Sequence, residues 1–161
     1  MALSAGDTIP DVTLMTMGTG GPTPVQSGSV LGTGTVVLFG VPGAFTPACS
    51  DQHLPGYIAL ADQLKSKGVD TVACISVNDA FVMDAWSEAR RTGDAILMLA
   101  DGNGDFAKAA GLELDGSGFG LGTRFQRFAA IIDDGTIRDI AVEDAPPNVT
   151  VSSAESVLGK L

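Results

Sequence analysis

The sequence predicts an α/β protein with a central mixed β-sheet flanked by helices, and three observations support this fold class. Buried-strand patterns and helical patterns alternate through most of the chain, as in a parallel sheet covered by helices on both faces. A final pair of strand patterns surrounds Asp134-Gly135, a dipeptide that favours a tight hairpin turn. The 161 residues, 45% of them hydrophobic, are enough for one domain over residues 1–161.

The predicted elements follow in the order βαβαβαββα. Continuous apolar and β-branched runs predict buried strands at residues 35–41, 71–77 and 95–100, with the final hairpin at 127–142. Helical spacing of apolar residues predicts helices at 47–68, 80–93, 104–112 and about 152–158. The stretch 15–34 is rich in glycine and nearly uncharged, which indicates surface turns or a short edge strand.

Two of the predicted helices carry more specific expectations. Pro55 is expected to kink the first helix, because proline cannot donate a backbone hydrogen bond. The second helix is expected to bury Phe81, Ala85 and Trp86. The whole order contains the thioredoxin arrangement, βαβ followed by ββα, with an extra helix and strand inserted. The prediction is therefore a thioredoxin-like fold.

Charge and composition exclude several classes of partner. Nine Lys and Arg against 19 Asp and Glu give a net charge of −10, which repels nucleic acid and anionic lipid. No apolar run approaches the roughly 20 residues that cross a bilayer, and the start, MALSAGDTIPD, lacks a signal-peptide pattern. We therefore expect a cytoplasmic protein without nucleic-acid or membrane partners.

The two cysteines are too few for a disulfide scaffold, and no metal site or cofactor is expected.

The stretch VPGAFTPACSDQH, residues 41–53, places Cys49 between a Gly/Pro-rich turn and a predicted helix. If the helix begins near Pro47, Cys49 lies in its first turn, where unpaired N–H groups and the helix dipole favour a thiolate. Proline suits the first helical position, and Thr46 is expected to cap the helix and direct its hydroxyl at the sulfur. The alternative is a small buried hydrophobe, as most free cysteines are. The capped first turn favours a reactive thiolate.

VPGAFTPACSDQHLPGY resembles the active-site segment of the peroxiredoxins, specifically the type II, atypical two-cysteine branch, whose pattern is PGAFTPxCSxxHxPG. The resemblance continues in VACISVNDAFVMDAW, LADGNGDFAKAAGL and GLGTRFQRFAAIIDDG, and covers nearly the whole chain. It implies a thiol-dependent peroxidase that reduces hydrogen peroxide and alkyl hydroperoxides through a sulfenic acid at Cys49. The implied role is antioxidant defence and redox homeostasis.

The resemblance also implies roles for residues around Cys49. Pro42 shields the sulfur, Thr46 hydrogen-bonds the sulfur and the peroxide, and Arg127 stabilises charge on the departing oxygen. Arg124 is the reserve for Arg127; without the motif, either arginine would be interpreted as a solvated charge at the end of a strand. The substrate pocket is expected to be partly apolar and to include Gly43, Phe45, Phe119, Leu121 and Arg124.

Three further positions bear on the thiol chemistry. His53 is expected to have a structural or dimer-contact role, with a Cys-His catalytic pair as the alternative. Cys74 lies in a predicted buried strand and is expected in the core, with a resolving role after local unfolding as the alternative. Val151 stands where some type II members carry a resolving cysteine. Glutathione and glutaredoxin are therefore the expected reductants, and thioredoxin is less favoured.

Two other functions remain open at the level of sequence. One is a thiol transferase or disulfide reductase, although TPAC has threonine where a C-x-x-C motif has its first cysteine. The other is a redox sensor or holdase that uses oxidation of Cys49 to change partners. Neither requires proline, threonine, cysteine and arginine together, so peroxidase activity is favoured. The family commonly pairs, which predicts a homodimer.

Overall fold

The computed structural model describes all 161 residues. The nine strands are β1 Thr13–Gly18, β2 Gly21–Gln26, β3 Thr35–Gly40, β4 Thr71–Ser76, β5 Leu97–Ala100, β6 Glu113–Asp115, β7 Thr123–Phe125, β8 Phe128–Asp133 and β9 Thr136–Val142. The five α-helices are α1 Ser27–Val30, α2 Leu54–Ser66, α3 Ala80–Arg90, α4 Asp105–Ala110 and α5 Ala154–Leu158. A π-helical turn, Cys49–His53, runs directly into α2, and a short 3₁₀ turn covers Ser117–Phe119.

Seven strands form one mixed sheet in the order β2-β1-β5-β4-β3-β8-β9. The central strands β3, β4 and β5 are parallel, whereas β8 and β9 on one side and β1 and β2 on the other are antiparallel. β6 and β7 form a separate two-stranded sheet. The predicted mixed sheet flanked by helices is therefore confirmed. None of the helices combines the length and the apolar character that crossing a bilayer requires.

The central strands form because their side chains are apolar on both faces. Along β3, Val37 and Phe39 pack into one hydrophobic core, and Val36 and Leu38 pack into a second core on the opposite face. This alternation follows from the two-residue period of a strand. The first core also contains Cys49, so the sheet face that carries α2 and α3 also carries the candidate nucleophile.

A kink is expected at Pro55, and the structure has a π-helical turn directly before this proline. Pro55 is the second residue of α2, and the turn ends at His53. A proline ring clashes with the carbonyl four residues earlier and cannot donate to it, so widening the preceding turn relieves the clash.

The prediction that α3 buries Phe81 and Ala85 is wrong. Phe81 is 66% exposed and Ala85 is exposed, because α3 packs through Ala80, Met83 and Trp86 instead. For residues 15–34 we expect surface turns or a short edge strand, and β2 is such an edge strand. Its antiparallel pairing with β1 over six residues goes beyond that expectation. β6 and β7 form a further hairpin, which is not among the predicted elements.

Candidate active site

The chain reaches Cys49 through a tight connection at the carboxyl end of β3. Residues 41–46, here called the cysteine loop, follow this strand, and helical structure begins at Pro47. The Ser50 N–H donates to the Thr46 carbonyl at 2.9 Å, which places Cys49 in the first turn. The Cys49 side chain is fully buried. In open α/β sheets, sites form at this edge, where the loop after a strand meets a helix.

Arg127 lies immediately before β8 and points its guanidinium into the space beside the sulfur. Its side chain is buried and donates three hydrogen bonds: Nη2 to Cys49 Sγ at 3.1 Å, Nη1 to His53 Nδ1 at 3.0 Å, and Nε to the Pro146 carbonyl at 2.8 Å. Because a buried cation is costly without partners, these contacts fix both the charge and the direction of the side chain. The structure therefore brings Arg127, His53 and Cys49 into one cluster.

The contacts of His53 define its protonation state. Arginine only donates, so His53 Nδ1 must accept, and Nε2 therefore carries the proton that is donated to the Ser152 carbonyl at 2.9 Å. Burial, followed by the nearby positive charge of Arg127, lowers the pKa of His53 from 6.5 to about 3. The imidazole is therefore neutral at pH 7. Its Nδ1 lone pair contacts Arg127, not the thiol, which favours the structural role over a Cys-His pair.

Glu143 is a further buried group, and no sequence motif indicates it. Its carboxylate accepts hydrogen bonds from Thr150 and Ser152, each through its backbone N–H and its hydroxyl. Burial opposes ionisation, but the hydrogen bonds from Ser152 and Thr150 outweigh it and hold the pKa of Glu143 below its usual value. In the sequence, Glu143 begins a polar loop and carries no motif, so it is indistinguishable from a solvated charge.

Arg124 lies at the side of the site and does not bond to the sulfur. Its Nη1 donates to the carbonyls of Val77 at 3.2 Å and Pro42 at 3.4 Å, and its Nε donates to the Leu121 carbonyl at 2.9 Å. Gly43 packs closely beside Arg124: a Cβ on residue 43 would lie only 3.2 Å from Arg124 Nη1. Arg124 therefore ties the cysteine loop to the glycine-rich segment at residues 116–122.

Thr46, predicted as a catalytic residue, and the predicted pocket residues Phe45 and Phe119 do not have the placements expected of them. The Thr46 hydroxyl donates to the Gly43 carbonyl at 2.7 Å and not to the sulfur, because the turn of the cysteine loop brings that carbonyl into reach. Phe45 has a positive φ of 65° and is 52% exposed, and Phe119 is 88% exposed. Both rings therefore face outward in this structure and do not line an enclosed pocket.

Cys49 lines none of the three main cavities of the structure. One of them, of about 420 Å³, is lined by residues such as Val72, Met83 and Ile96. A smaller one, of about 160 Å³, is lined by Arg127, Glu143 and other residues of the surrounding loops. The chemical cluster at Cys49 therefore identifies the candidate site, whereas cavity size does not.

Cys74 lies on β4 in the same core as Cys49, and both thiols are free. It is fully buried and paired in register with Phe39. Burial, and then the neighbouring Cys49, raise the pKa of Cys74 well above its usual value. This environment favours the core role. Val151, which stands where some type II members have a cysteine, is partly exposed.

A buried cysteine in the first turn of a helix, held by a buried arginine on a thioredoxin-like sheet, defines a thiol-based redox protein. The sequence matches the redoxin family over residues 4–158, and the chain belongs to this family, among the peroxiredoxins. This membership confirms the resemblance seen in the sequence and makes the chain a thiol-dependent peroxidase with an antioxidant role.

Three similar proteins illustrate the relationship. Peroxiredoxin-2E, chloroplastic, of Arabidopsis thaliana is 44% identical over 164 residues, covering 99% of this chain and 70% of the relative. Peroxiredoxin-2F, mitochondrial, of the same plant is 44% identical over 126 residues, covering 78% of this chain and 63% of the relative. The crystal structure of reduced Prx3 with H₂O₂ from Vibrio vulnificus has a TM-score of 0.93 and 52% identity, and the match covers 98% of each chain.

The comparison contradicts the predicted cytoplasmic location, because relatives with high identity are named for the chloroplast and the mitochondrion. The prediction rested on the lack of a signal-peptide pattern in the first residues. That observation does not determine the compartment, since other routes into organelles use different sequence features.

Proposed function

We propose that Cys49 is the peroxidatic cysteine and that Arg127 activates it. The observation that carries this proposal is the hydrogen bond from Arg127 Nη2 to Cys49 Sγ at 3.1 Å, in the first turn of a helix. A guanidinium at this distance stabilises the thiolate and is close enough to reach an oxygen bonded to the sulfur. Both groups are buried, so water does not weaken the interaction.

The proposed reaction is a displacement at a hydroperoxide. The Cys49 thiolate attacks the terminal oxygen, an S–O bond forms and the O–O bond breaks, so sulfur is oxidised to a sulfenic acid and the peroxide is reduced. The departing oxygen takes a proton from solvent and leaves as water or an alcohol. Arg127 stabilises its developing negative charge. Thr46 exchanges its bond to the Gly43 carbonyl for one to the peroxide, and Pro42 covers the sulfur.

The substrates proposed are hydrogen peroxide and small alkyl hydroperoxides. Because Cys49 is fully buried, a peroxide reaches the sulfur only when the cysteine loop shifts slightly, which favours small substrates. Phe45, Phe119 and Leu121 provide apolar surface at the mouth of this route, and Arg124 holds its two sides together.

For the second half of the cycle we propose an external thiol. The sulfenic acid condenses with glutathione, which releases water and leaves a mixed disulfide, and glutaredoxin or a second thiol then restores the Cys49 thiol. The buried position of Cys74 and its raised pKa support this route over an internal disulfide. Thioredoxin is a weaker candidate, because Val151 replaces the resolving cysteine of some relatives.

The test is stopped-flow fluorescence of Trp86 in the reduced protein mixed with hydrogen peroxide. Trp86 suits this purpose because its indole N–H donates to Ser50 Oγ at 2.9 Å, one residue from Cys49. A fast phase that is lost in Cys49→Ser and kept in Cys74→Ser is expected. A wild-type rate no faster than that of a free thiol would contradict the proposal and favour a redox sensor. A second phase that Cys74→Ser loses while keeping the first phase would make Cys74 the resolving thiol.

A further inference from the structure

A chain of buried hydrogen bonds runs from Glu143 to the candidate nucleophile. It passes from the carboxylate to Ser152, from the Ser152 carbonyl to His53, from His53 to Arg127 and from Arg127 to Cys49 Sγ. No side-chain N or O atom buried in this structure lacks a partner, so each link is satisfied. Glu143 is the end of this series of hydrogen bonds that lies farthest from the sulfur.

The carboxylate of Glu143 fits its place because four donors converge on it. They are the backbone N–H and the hydroxyl of Thr150 and the same two groups of Ser152, at 2.5 to 2.9 Å. An ionised carboxylate offers about four acceptor positions and no donor, so it matches this set where an amide does not. The segment 150–152 lies between β9 and α5 and forms no strand or helix, so these bonds fix its position.

When Ser152 is held in place, its backbone carbonyl, which accepts the hydrogen bond from His53, is held in place as well. That carbonyl accepts from His53 Nε2 and also from the Tyr57 hydroxyl at 2.8 Å. With the proton held on Nε2, the Nδ1 lone pair is free to accept from Arg127. If the carbonyl moved away, the proton could reside on either nitrogen, and the Nδ1–H tautomer would repel the guanidinium.

We propose that Glu143 is a positioning residue for peroxide reduction, which orients Arg127 toward Cys49 through Ser152 and His53. The inference rests on the proposed function of Cys49 and Arg127. Glu143 makes no hydrogen bond to the sulfur, and it makes no ion pair with Arg127. Its effect is to hold the imidazole in the tautomer that accepts from the guanidinium, so that a second guanidinium N–H is directed at the sulfur.

The first test compares Glu143→Gln with Glu113→Gln. Glu113 is exposed and lines the same small cavity as Glu143, so its variant removes an equal charge nearby without touching the hydrogen-bond chain. The rate of the fast phase with hydrogen peroxide is expected to fall on the order of tenfold in Glu143→Gln, since slight misplacement of a reacting group costs this much or more. Glu113→Gln is expected to react like the wild type.

A second readout reports the tautomer directly. His53 is the only histidine, so ¹⁵N NMR of the imidazole gives one pair of nitrogen signals. The wild type should show a proton on Nε2, and Glu143→Gln should show averaging between the two tautomers. A role of Glu143 confined to general stability would lower the melting temperature and leave this signature unchanged, which would overturn the proposal.

A double-mutant cycle with Arg127→Lys tests whether the effect passes through the arginine. If it does, Glu143→Gln slows the Arg127→Lys variant by less than about twofold, because coupled residues are not additive. An unchanged tenfold effect in that background would contradict the proposal.

Should Glu143→Gln fail to fold, Ser152→Ala keeps the backbone carbonyl but removes one donor to Glu143, and a slower fast phase is again expected. If the wild type reacts and Glu143→Gln reacts equally fast, only this inference fails; an inert wild type contradicts the proposed function itself.

Discussion

At the scale of single residues, the direction of Arg127 distinguishes it from Arg124, although both lie in GLGTRFQRF. Arg127 donates to a sulfur, an imidazole and a carbonyl, whereas all three contacts of Arg124 go to backbone carbonyls. A guanidinium that bonds only carbonyls stabilises the local structure. A guanidinium that bonds the nucleophile stabilises the transition state more than the ground state, because negative charge develops next to it during the reaction.

We therefore predict different losses for the two glutamine variants. Arg127→Gln should slow the reaction of Cys49 with hydrogen peroxide by roughly 100-fold or more, as removal of a donor to a developing negative charge does elsewhere. Arg124→Gln should slow it by less than about tenfold, since it loosens the cysteine loop but leaves the donor to sulfur in place. Stopped-flow rates at several peroxide concentrations measure both. Equal losses would mean that the two arginines share one role.

The sequence predicted the parts of this site that a local motif encodes. Cys49, Thr46 and Pro42 lie within one short segment, and Arg127 was found through its place in a second recognisable segment. Glu143 was missed because its partners, Thr150 and Ser152, come together only when β9 and α5 are in place. The outward direction of Phe45 and Phe119 was likewise inaccessible, because loop backbone angles depend on tertiary packing.

At the scale of elements, the π-helical turn Cys49–His53 combines two tasks in one segment. It begins at the sulfur, and it ends at the imidazole that contacts Arg127. The ring of His53 is enclosed by Phe39 of β3 and Tyr57 of α2, with ring centroids 5.0 and 5.6 Å away. This apolar environment keeps the imidazole neutral, so the turn is stable only while His53 is uncharged.

The buried histidine predicts a definite dependence of stability on pH. Burial and Arg127 lower the pKa of His53 from 6.5 to about 3, so between these values the unfolded chain binds a proton that the folded chain does not. The stabilisation is complete above about pH 6.5 and is lost as the pH falls toward 3, with a slope of up to roughly 1.4 kcal/mol per pH unit.

Urea unfolding of the wild type and of His53→Asn at several pH values isolates this contribution. Asparagine does not titrate and places an oxygen near the position of Nδ1, so Arg127 keeps an acceptor. The free energy of unfolding should fall less steeply with decreasing pH in the variant. The carboxyl groups titrate equally in both proteins, so their contributions cancel when the two unfolding free energies are subtracted. Parallel curves would show that His53 is not held neutral in the folded state.

The elements that the sequence predicted only in part have weak or ambiguous patterns. β2 contains Pro22 and Pro24, which normally argue against a strand, but β2 is an edge strand, where a missing donor is tolerated. In α3, apolar residues occupy nearly every position from 80 to 86, so more than one helix face is apolar. Packing against the sheet selects the face of Met83 and Trp86 and leaves Phe81 in solvent.

At the scale of the whole molecule, exposed apolar side chains and the large negative charge have opposite effects on association. Phe119 and Phe45 offer apolar surface on the segments beside Cys49, and we propose that they contribute to a homodimer. The net charge of −10 on each chain opposes pairing through mutual repulsion. Because salt screens charge but not apolar contact, a dimer of this kind should tighten as salt is added.

The dimer is tested by sedimentation velocity of the wild type, Phe119→Ser and Phe81→Ser. The wild type should sediment as a dimer whose dissociation constant falls between about 0.01 and 0.15 M salt, the range over which screening becomes strong. Phe119→Ser should weaken the dimer at least tenfold, since it removes an 88% exposed ring that would be buried on pairing. Phe81→Ser removes a similarly exposed ring from α3 and should leave the dimer intact. A monomeric wild type would contradict the proposed pairing, whereas dissociation by Phe81→Ser alone would move the interface to α3.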